Sequence, residues 1–262
     1  MGTCQSNVFS GGIIFDTIEC LIQRNFSYAT PDIRDGYKVV KEALTDPKYK
    51  KLVLILHSQG GIVGGMIIDW LLDEIPQDLL QKLEVYTFGN AANHFNNPHR
   101  YALDVRRKTE DVFPPESKAI RHIEHYANHG DFVSAWGVLN FIKLSSRYMG
   151  RLFVRQGSGH QLNQHYLDNM FPLGPDGKAL ESNDFMDAEV SFQQAPAPND
   201  PGESLVHSLQ SGNSPEADII DENNPINVIH GRNKQINGTK VKVKDFSRLW
   251  QYRNGRSPSD RN

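Results

Sequence analysis

The stretch that decides the fold is KLVLILHSQGGIVGG, residues 51–65. Five consecutive apolar residues, 52–56, predict a buried strand, because strands covered on both faces read as continuous apolar runs. The run stops at a histidine, a serine, a glutamine and paired glycines, and the apolar segment IVGGMIIDWLLDEI after them predicts a helix. Ser58 is therefore expected on a tight turn between a buried strand and a helix.

The turn matches most of the pattern G-x-S-x-G, which places a nucleophilic serine between a strand and a helix. Gly60 follows the serine at the expected spacing, whereas Leu56 stands where the first glycine of the pattern lies. We predict that Ser58 is a nucleophile and that the Gln59 amide, at the helix N-terminus, stabilises an oxyanion. The alternative is an ordinary turn, since a bare S-x-G is common.

Strand-like and helical segments alternate over the first two thirds of the chain. Helical periodicity follows residues 12–24 and 30–44, and strand-like runs cover residues 83–89, 119–127 and 151–155. This alternation predicts an α/β fold with a mostly parallel sheet flanked by helices. Residues 90–118 form a polar excursion, expected to be an inserted lid-like element or a mobile loop.

A serine nucleophile needs a base, and the base needs an acid that orients it. Asp131 follows the third strand-like run, and His160 lies on a glycine-rich turn after the fourth. His165 lies in the same loop-to-helix stretch as His160 and is the alternative base. Asp131 has the alternative role of capping the next helix. His57 is expected to point away from Ser58.

Four segments, LVLILHSQGG, LEVYTFGNAANHF, HIEHYANHGDFV and GSGHQLNQHYL, together resemble the α/β-hydrolase superfamily. They look most like fungal lipase-like proteins of uncertain substrate, and their order is similar to that in class 3 lipases. The similarity spans roughly residues 11–171. It implies an ester hydrolase with Ser58 as nucleophile, Asp131 as acid and His160 as base. It also implies an acyl-enzyme, a small-molecule ester or lipid substrate, no metal and no cofactor.

The start of the chain departs from that family. The fold usually has another strand before the serine turn, and the loop after this strand supplies a second oxyanion donor. Only about fifty residues precede the turn, and they are mostly helical in pattern. NVFSGG, residues 7–12, is the one candidate for a short strand. The departure implies a chain truncated at its N-terminus, or a weak or inactive hydrolase-fold protein that serves as a binding or regulatory module.

The last third of the chain differs in composition. Between Lys178 and Arg232 there is no lysine or arginine, while acidic residues and prolines accumulate. The segment after it is basic and carries Phe246, Leu249 and Trp250 at helical spacing, so it is either a solvated end or a segment that docks on the body or a partner. The expected organisation is a hydrolase-like domain over residues 11–181, an acidic disordered linker over 182–238 and a basic aromatic segment over 239–262.

Composition limits the partners and the compartment. A net charge of −3 gives no indication of nucleic-acid binding. Two cysteines, Cys4 and Cys20, make no disulfide framework and favour a reducing compartment, so a cytoplasmic location is expected. The start MGTCQS fits the pattern for myristoylation at Gly2 with palmitoylation at Cys4, which predicts peripheral membrane contact as the alternative. No oligomeric state is indicated.

Overall fold

The computed structural model of the protein describes residues 13–26, 28–98, 118–144, 148–188, 190–192, 217–220 and 242–258. Its centre is a sheet of four parallel strands that are neighbours in chain order. They are β1 (Leu52–His57), β2 (Leu83–Phe88), β3 (His122–Gly130) and β4 (Arg151–Ser158). The predicted α/β class is therefore confirmed. Strand β3 lies about three residues later than the predicted run at 119–127, which begins with bends.

Helices connect the strands and form one hydrophobic core with the sheet. In chain order they are α1 (Ile13–Phe26), α2 (Pro31–Thr45), α3 (Gly60–Glu74), α4 (Gln77–Leu80), α5 (Phe132–Trp136) and α6 (Val138–Leu144). The apolar stripe of α2 is buried at Ile33, Val40 and Leu44, as its 3.6-residue period predicts. Thr30 occupies the N-cap position of α2, but its side chain makes no capping hydrogen bond.

A second core, rich in aromatic side chains, lies on the other face of the sheet. Tyr86, Phe88, Tyr126 and Phe153 project from β2, β3 and β4 into this core. They are covered by a π-helix (Leu162–Leu167), by α7 (Asp168–Met170) and by a C-terminal segment, residues 242–258, that contains α8 (Val243–Phe246) and a 3-10 helix (Leu249–Gly255). Two short strands extend the sheet: β6 (Ala217–Ile220) pairs antiparallel with β4, and β5 (Val190–Phe192) pairs parallel with β6.

The second core continues past residue 181, the expected end of the hydrolase-like domain. Phe185 and Met186 fall inside the predicted disordered linker, yet both are buried in the second core. Residues 190–192 and 217–220 of the same predicted linker form strands. The segment is acidic and polar on average, and this average predicted disorder. An average composition does not show that a few apolar side chains in the segment can be buried against a sheet formed earlier in the chain.

The C-terminal segment docks on the body, one of the two interpretations that its composition allowed. Trp250 is only 3 % exposed. The guanidinium of Arg248 donates two hydrogen bonds to Oε1 of Glu84, at 3.0 and 2.7 Å. Burial alone would raise the pKa of Glu84, but hydrogen bonds, first among them those from Arg248, lower it to about 2. A buried charge needs such a partner, so this ion pair fixes where the segment lies.

Strand β1 is at the edge of the sheet within the described residues, and it is not covered on both faces as predicted. Val53 is 38 % exposed and Ile55 is 56 % exposed, because the second core covers the face over β2 to β4 only. The predicted strand at residues 7–12, the acylation pattern at Gly2 and Cys4, and most of the polar excursion (99–117) lie outside the described residues. In the part of the chain that is described, no helix is both long and apolar enough to cross a bilayer.

Candidate active site

Ser58 lies on a strained turn between β1 and α3. Its φ angle is +58°, and only one other non-glycine residue among those described, Asn254, has a positive φ. The turn is fixed by the Ser58 N–H, which donates to the carbonyl of Phe88 at 3.0 Å, and by the Ser58 carbonyl, which accepts from Gly61 at 3.0 Å. Such conformations cost about 1–3 kcal/mol and cluster at functional sites. The predicted position of the serine, on a tight turn after the strand, is confirmed.

The glycine pattern around this turn follows from two close contacts. A Cβ atom on Gly64 would lie 2.2 Å from Cδ1 of Leu56, and a Cβ atom on Gly61 would lie 1.9 Å from Oδ1 of Asn90. A Cβ atom on Gly60 would meet nothing within 4 Å. The space that the usual first glycine would provide is thus supplied here by Gly64, one turn into α3, so Leu56 is compatible with the turn.

The structure brings three predicted residues together. Nε2 of His160 is 2.8 Å from Oγ of Ser58, and Nδ1 of His160 is 2.9 Å from Oδ2 of Asp131. Because an ionised carboxylate only accepts hydrogen bonds, the imidazole proton is assigned to Nδ1 and the Ser58 hydroxyl donates to Nε2. The contacts form an unbroken hydrogen-bonded chain from the serine hydroxyl to the carboxylate.

Gly89, which follows β2, makes room for this chain. Its φ is +55°, and a Cβ atom there would lie 2.8 Å from Oδ2 of Asp131 and 2.9 Å from Nδ1 of His160. Any larger residue would therefore push apart the two groups that hydrogen bond. Gly89 is the last residue of YTFG, and a glycine directly after a strand was the signal in the sequence that could have identified it. No role was assigned to Gly89 from the sequence.

Asp131 makes the contacts of both alternatives that the sequence left open, with a helix N-terminus and with His160. Its Oδ1 accepts from the Val133 N–H at 2.9 Å and caps α5, while its Oδ2 accepts from His160. Tyr166 and Ser134 also donate to Oδ2, at 2.6 and 3.1 Å. Burial would raise the pKa of Asp131, but the hydrogen bonds from His160 and Tyr166 outweigh it and hold the pKa below its usual value. The carboxylate is therefore ionised at neutral pH.

His165, the alternative base, is not brought to Ser58. Its Nδ1 accepts a hydrogen bond from the Gln161 N–H at 3.0 Å, and its ring packs beside Gly159. Gly159 has a φ of +93°, so it provides the sharp turn that sends His160 toward the sheet and leaves His165 in the π-helix.

His57, which is expected to point away from Ser58, lies against His160 of the candidate site. Its ring stacks on that of His160, with centroids 4.6 Å apart and planes 30° apart. Its Nε2 is 2.7 Å from the carbonyl oxygen of His160. Side chains alternate along β1, so His57 projects to the face opposite Leu56 and α3, which is the face where His160 lies. Burial is the main cause that lowers the pKa of His57, so its ring is neutral at neutral pH.

Sequence reasoning also gave no role to Asn128. Its side-chain amide donates to the carbonyl oxygens of Gly159 and His165, at 3.1 and 3.0 Å, and so ties the loop that carries His160 to the end of β3. The spacing N-x-x-D, with Asp131 as its last member, was a signal that could have identified it.

Gln59 occupies the N-cap position of the fifteen-residue helix α3. Amides in the first turn of a helix have no acceptor within the helix, and the helix dipole there favours negative charge. Its side chain donates to Oε1 of Gln23 in α1 at 2.8 Å, which anchors the residue beside Ser58. The second oxyanion donor, predicted at residues 7–12, lies outside the described residues.

Comparisons with known proteins do not assign the chain to a family. No protein-family model matches the chain, and no curated protein or solved structure is significantly similar to it. Its chemistry is therefore inferred from the geometry of Ser58, His160 and Asp131.

Proposed function

We propose that this protein is a serine hydrolase of the α/β-hydrolase superfamily that cleaves carboxylic esters. The observation that carries the proposal is the hydrogen-bonded chain from Ser58 through His160 to Asp131, with the serine on a positive-φ turn at the end of a strand. A serine, a base and an orienting acid in this relation are the parts that acyl transfer requires.

In the first half of the reaction, Oγ of Ser58 attacks the carbonyl carbon of the ester while its proton moves to Nε2 of His160. The π electrons of the carbonyl move to its oxygen, and the Gln59 N–H at the start of α3 stabilises this oxyanion. Asp131 stabilises the imidazolium. The oxyanion then collapses, the bond to the alcohol oxygen breaks, and His160 gives its proton to the leaving alcohol.

In the second half, water hydrolyses the acyl-enzyme. His160 takes a proton from the water as its oxygen attacks the acyl carbon, and the Gln59 N–H again stabilises the oxyanion. When the bond to Oγ of Ser58 breaks, His160 returns the proton to the serine and the carboxylic acid leaves. The cycle needs no oxidant, reductant or cofactor.

The proposed substrate is an ester with an apolar acyl group, such as a lipid. Phe132, directly after Asp131, is 79 % exposed, although a large apolar side chain is costly to leave in water. Phe26, at the end of the helix whose Gln23 contacts Gln59, is equally exposed. Exposed apolar side chains on elements that also carry residues of the candidate site suit a substrate that combines an ester with a hydrocarbon chain.

The test is hydrolysis of p-nitrophenyl esters of increasing acyl length. We expect a burst of p-nitrophenol that matches the protein concentration, followed by slower turnover. Ser58→Ala should abolish both phases, whereas Ser182→Ala, which alters an exposed serine far along the chain, should preserve them. Equal hydrolysis by the wild type and Ser58→Ala would contradict the proposal.

The second candidate is a hydrolase-fold binding or regulatory module without activity. It is favoured by the edge position of β1, which leaves one oxyanion donor, Gln59, within the described residues. Loss of one such donor typically lowers turnover about 10²–10³-fold. However, the basic aromatic segment that this candidate would use to bind a partner packs on the protein's own sheet. A cellular interaction that is unchanged by Ser58→Ala, in a variant that keeps the unfolding transition of the wild type, would favour this candidate.

A further inference from the structure

We infer that Tyr166 is a positioning residue, which fixes the Asp131 carboxylate and through it the orientation of His160 toward Ser58. The effect on reaction rate rests on the proposed function, whereas the effect on Asp131 itself does not. No role was assigned to Tyr166 from the sequence.

The geometry of Tyr166 is that of a strong hydrogen bond to a charged group. Its hydroxyl lies 2.6 Å from Oδ2 of Asp131, the oxygen that also accepts from His160. Bonds of O–H to an ionised oxygen in this range are about twice as strong as neutral ones. Tyr166 is 1 % exposed, so no water competes for the carboxylate there.

The surroundings of the phenol fix the direction of its proton. The backbone N–H of Asn128 donates to the Tyr166 oxygen at 3.2 Å, and Ser134 Oγ lies 3.1 Å from it. With a donor already directed at the oxygen, its own proton is directed to Asp131. Burial, and then the negative charge of Asp131, raise the pKa of Tyr166 well above its usual value, so the phenol remains a donor at any working pH.

The backbone also explains why this phenol reaches the carboxylate. Tyr166 belongs to the π-helix, a rare form that often marks functional sites. Its ring contacts that of Phe88 edge-on, with centroids 5.9 Å apart, and both rings belong to the second core. The titratable groups around Asp131 are His160 and Tyr166, with His57 stacked behind His160.

Tyr166→Phe removes the hydroxyl and leaves the ring. The matched control is Tyr86→Phe, since Tyr86 is also fully buried and donates to a carboxylate, Oε2 of Glu84, at 2.7 Å. The first measurement is the ¹³C NMR titration of the Asp131 carboxyl carbon. We expect its midpoint to move to higher pH in Tyr166→Phe and to stay unchanged in Tyr86→Phe. An unchanged midpoint in Tyr166→Phe would overturn the inference.

The second measurement is the rate at which a fluorophosphonate modifies Ser58, where the Oγ–P bond forms, fluoride leaves and the serine proton passes to His160. In Tyr166→Phe we expect a maximal rate about tenfold lower, at an unchanged half-saturating probe concentration, because a hydrogen bond to a charged group is lost. The low-pH limb of the pH profile of this rate should also move to higher pH. A rate and profile equal to those of Tyr86→Phe would contradict the role.

The two measurements separate the two claims. A shifted Asp131 titration in a protein whose Ser58 never reacts would support the positioning role and count against the proposed function. If Tyr166→Phe does not fold, the wild-type protein still provides the test. The hydroxyl proton of Tyr166 should then resonate far downfield and exchange slowly with water, and fast exchange would overturn the inference.

Discussion

Leu56 fills the space that a side chain on Gly64 would need, with its Cδ1 atom only 2.2 Å from the position of a Cβ atom there. The strand before Ser58 and the helix after it are therefore in contact through a leucine and a glycine. This contact compensates for the departure from G-x-S-x-G at position 56. It also gives a physical reason for a glycine at position 64, which lies outside that pattern.

Gly64→Ala is expected to lower the free energy of unfolding by about 1–3 kcal/mol, because the added methyl overpacks a buried contact. Gly60→Ala is the matched control, since a Cβ atom there meets nothing within 4 Å. Alanine favours a helix over glycine by roughly 0.5–1 kcal/mol, so this variant should be neutral or more stable. Urea unfolding of both variants checks the prediction. A larger loss in Gly60→Ala than in Gly64→Ala would contradict the account of the turn.

His160→Ala is expected to lower the rate of Ser58 modification by at least about 100-fold, since a general base contributes typically 10²–10⁴. His165→Gln is the control, because glutamine can still accept the hydrogen bond from the Gln161 N–H. This second variant should keep most of the rate. The reverse order of the two effects would identify His165 as the base and refute the assignment.

Because His125 is buried, we expect the free energy of unfolding of the protein to fall in weak acid. Its ring is fully buried between Thr87 and the Met149 carbonyl, and desolvation lowers its pKa to about 4. The unfolded chain therefore binds more protons between about pH 6.5 and 4, so stability falls as the pH falls through this window. We expect a loss of roughly 2 kcal/mol at pH 5 relative to pH 7 from this group.

The measurement is urea unfolding at several pH values for the wild type and for His125→Gln. Glutamine does not titrate, so the variant should show a shallower dependence on pH, whatever its stability at neutral pH. His122, whose pKa burial lowers to about 4, should maintain part of the slope. Identical slopes in the two proteins would show that His125 is not buried in its neutral form.

Arg248→Ala should destabilise the protein strongly, because it leaves Glu84 as a buried charge without its main partner. Removal of one member of a buried ion pair costs roughly 3–5 kcal/mol, and Lys51, whose Nζ lies 3.3 Å from Oε1 of Glu84, should keep the loss at the lower end of this range. Arg256→Ala breaks an exposed pair with Glu181 at 3.3 Å and is expected to leave the stability nearly unchanged. Thermal and urea unfolding check both variants. Similar small losses would mean that the C-terminal segment does not depend on the Arg248–Glu84 pair.

Local pattern in the sequence was enough to predict the parallel sheet and the meeting of three side chains. The strand ends of a parallel sheet lie at one edge, so residues that follow successive strands come close together. Ser58, Asp131 and His160 each follow a strand, and the order of the strands placed them at one edge of the sheet, with His165 left open as the alternative base. Their roles as nucleophile, acid and base remain predictions.

The contacts that depend on distant parts of the chain could not be predicted in this way. Tyr166 reaches Asp131 only because the π-helix turns it inward, and the periodicity of a short segment does not reveal that form. The contact of His57 with His160 could not be predicted, because the sequence does not show where the loop that carries His160 lies. Phe185 and Trp250 lie in polar segments, and what buries them is a sheet formed by residues far earlier in the chain.

The most direct test of the central claim is the intact mass of the protein after incubation with a fluorophosphonate. We expect a single adduct on the wild-type protein, located at Ser58 by peptide mapping, and no adduct on Ser58→Ala. The Ser58→Ala variant must keep the unfolding transition of the wild type. No adduct on the wild type, where a control serine hydrolase is fully modified, would contradict the account, and so would an adduct at any serine other than Ser58.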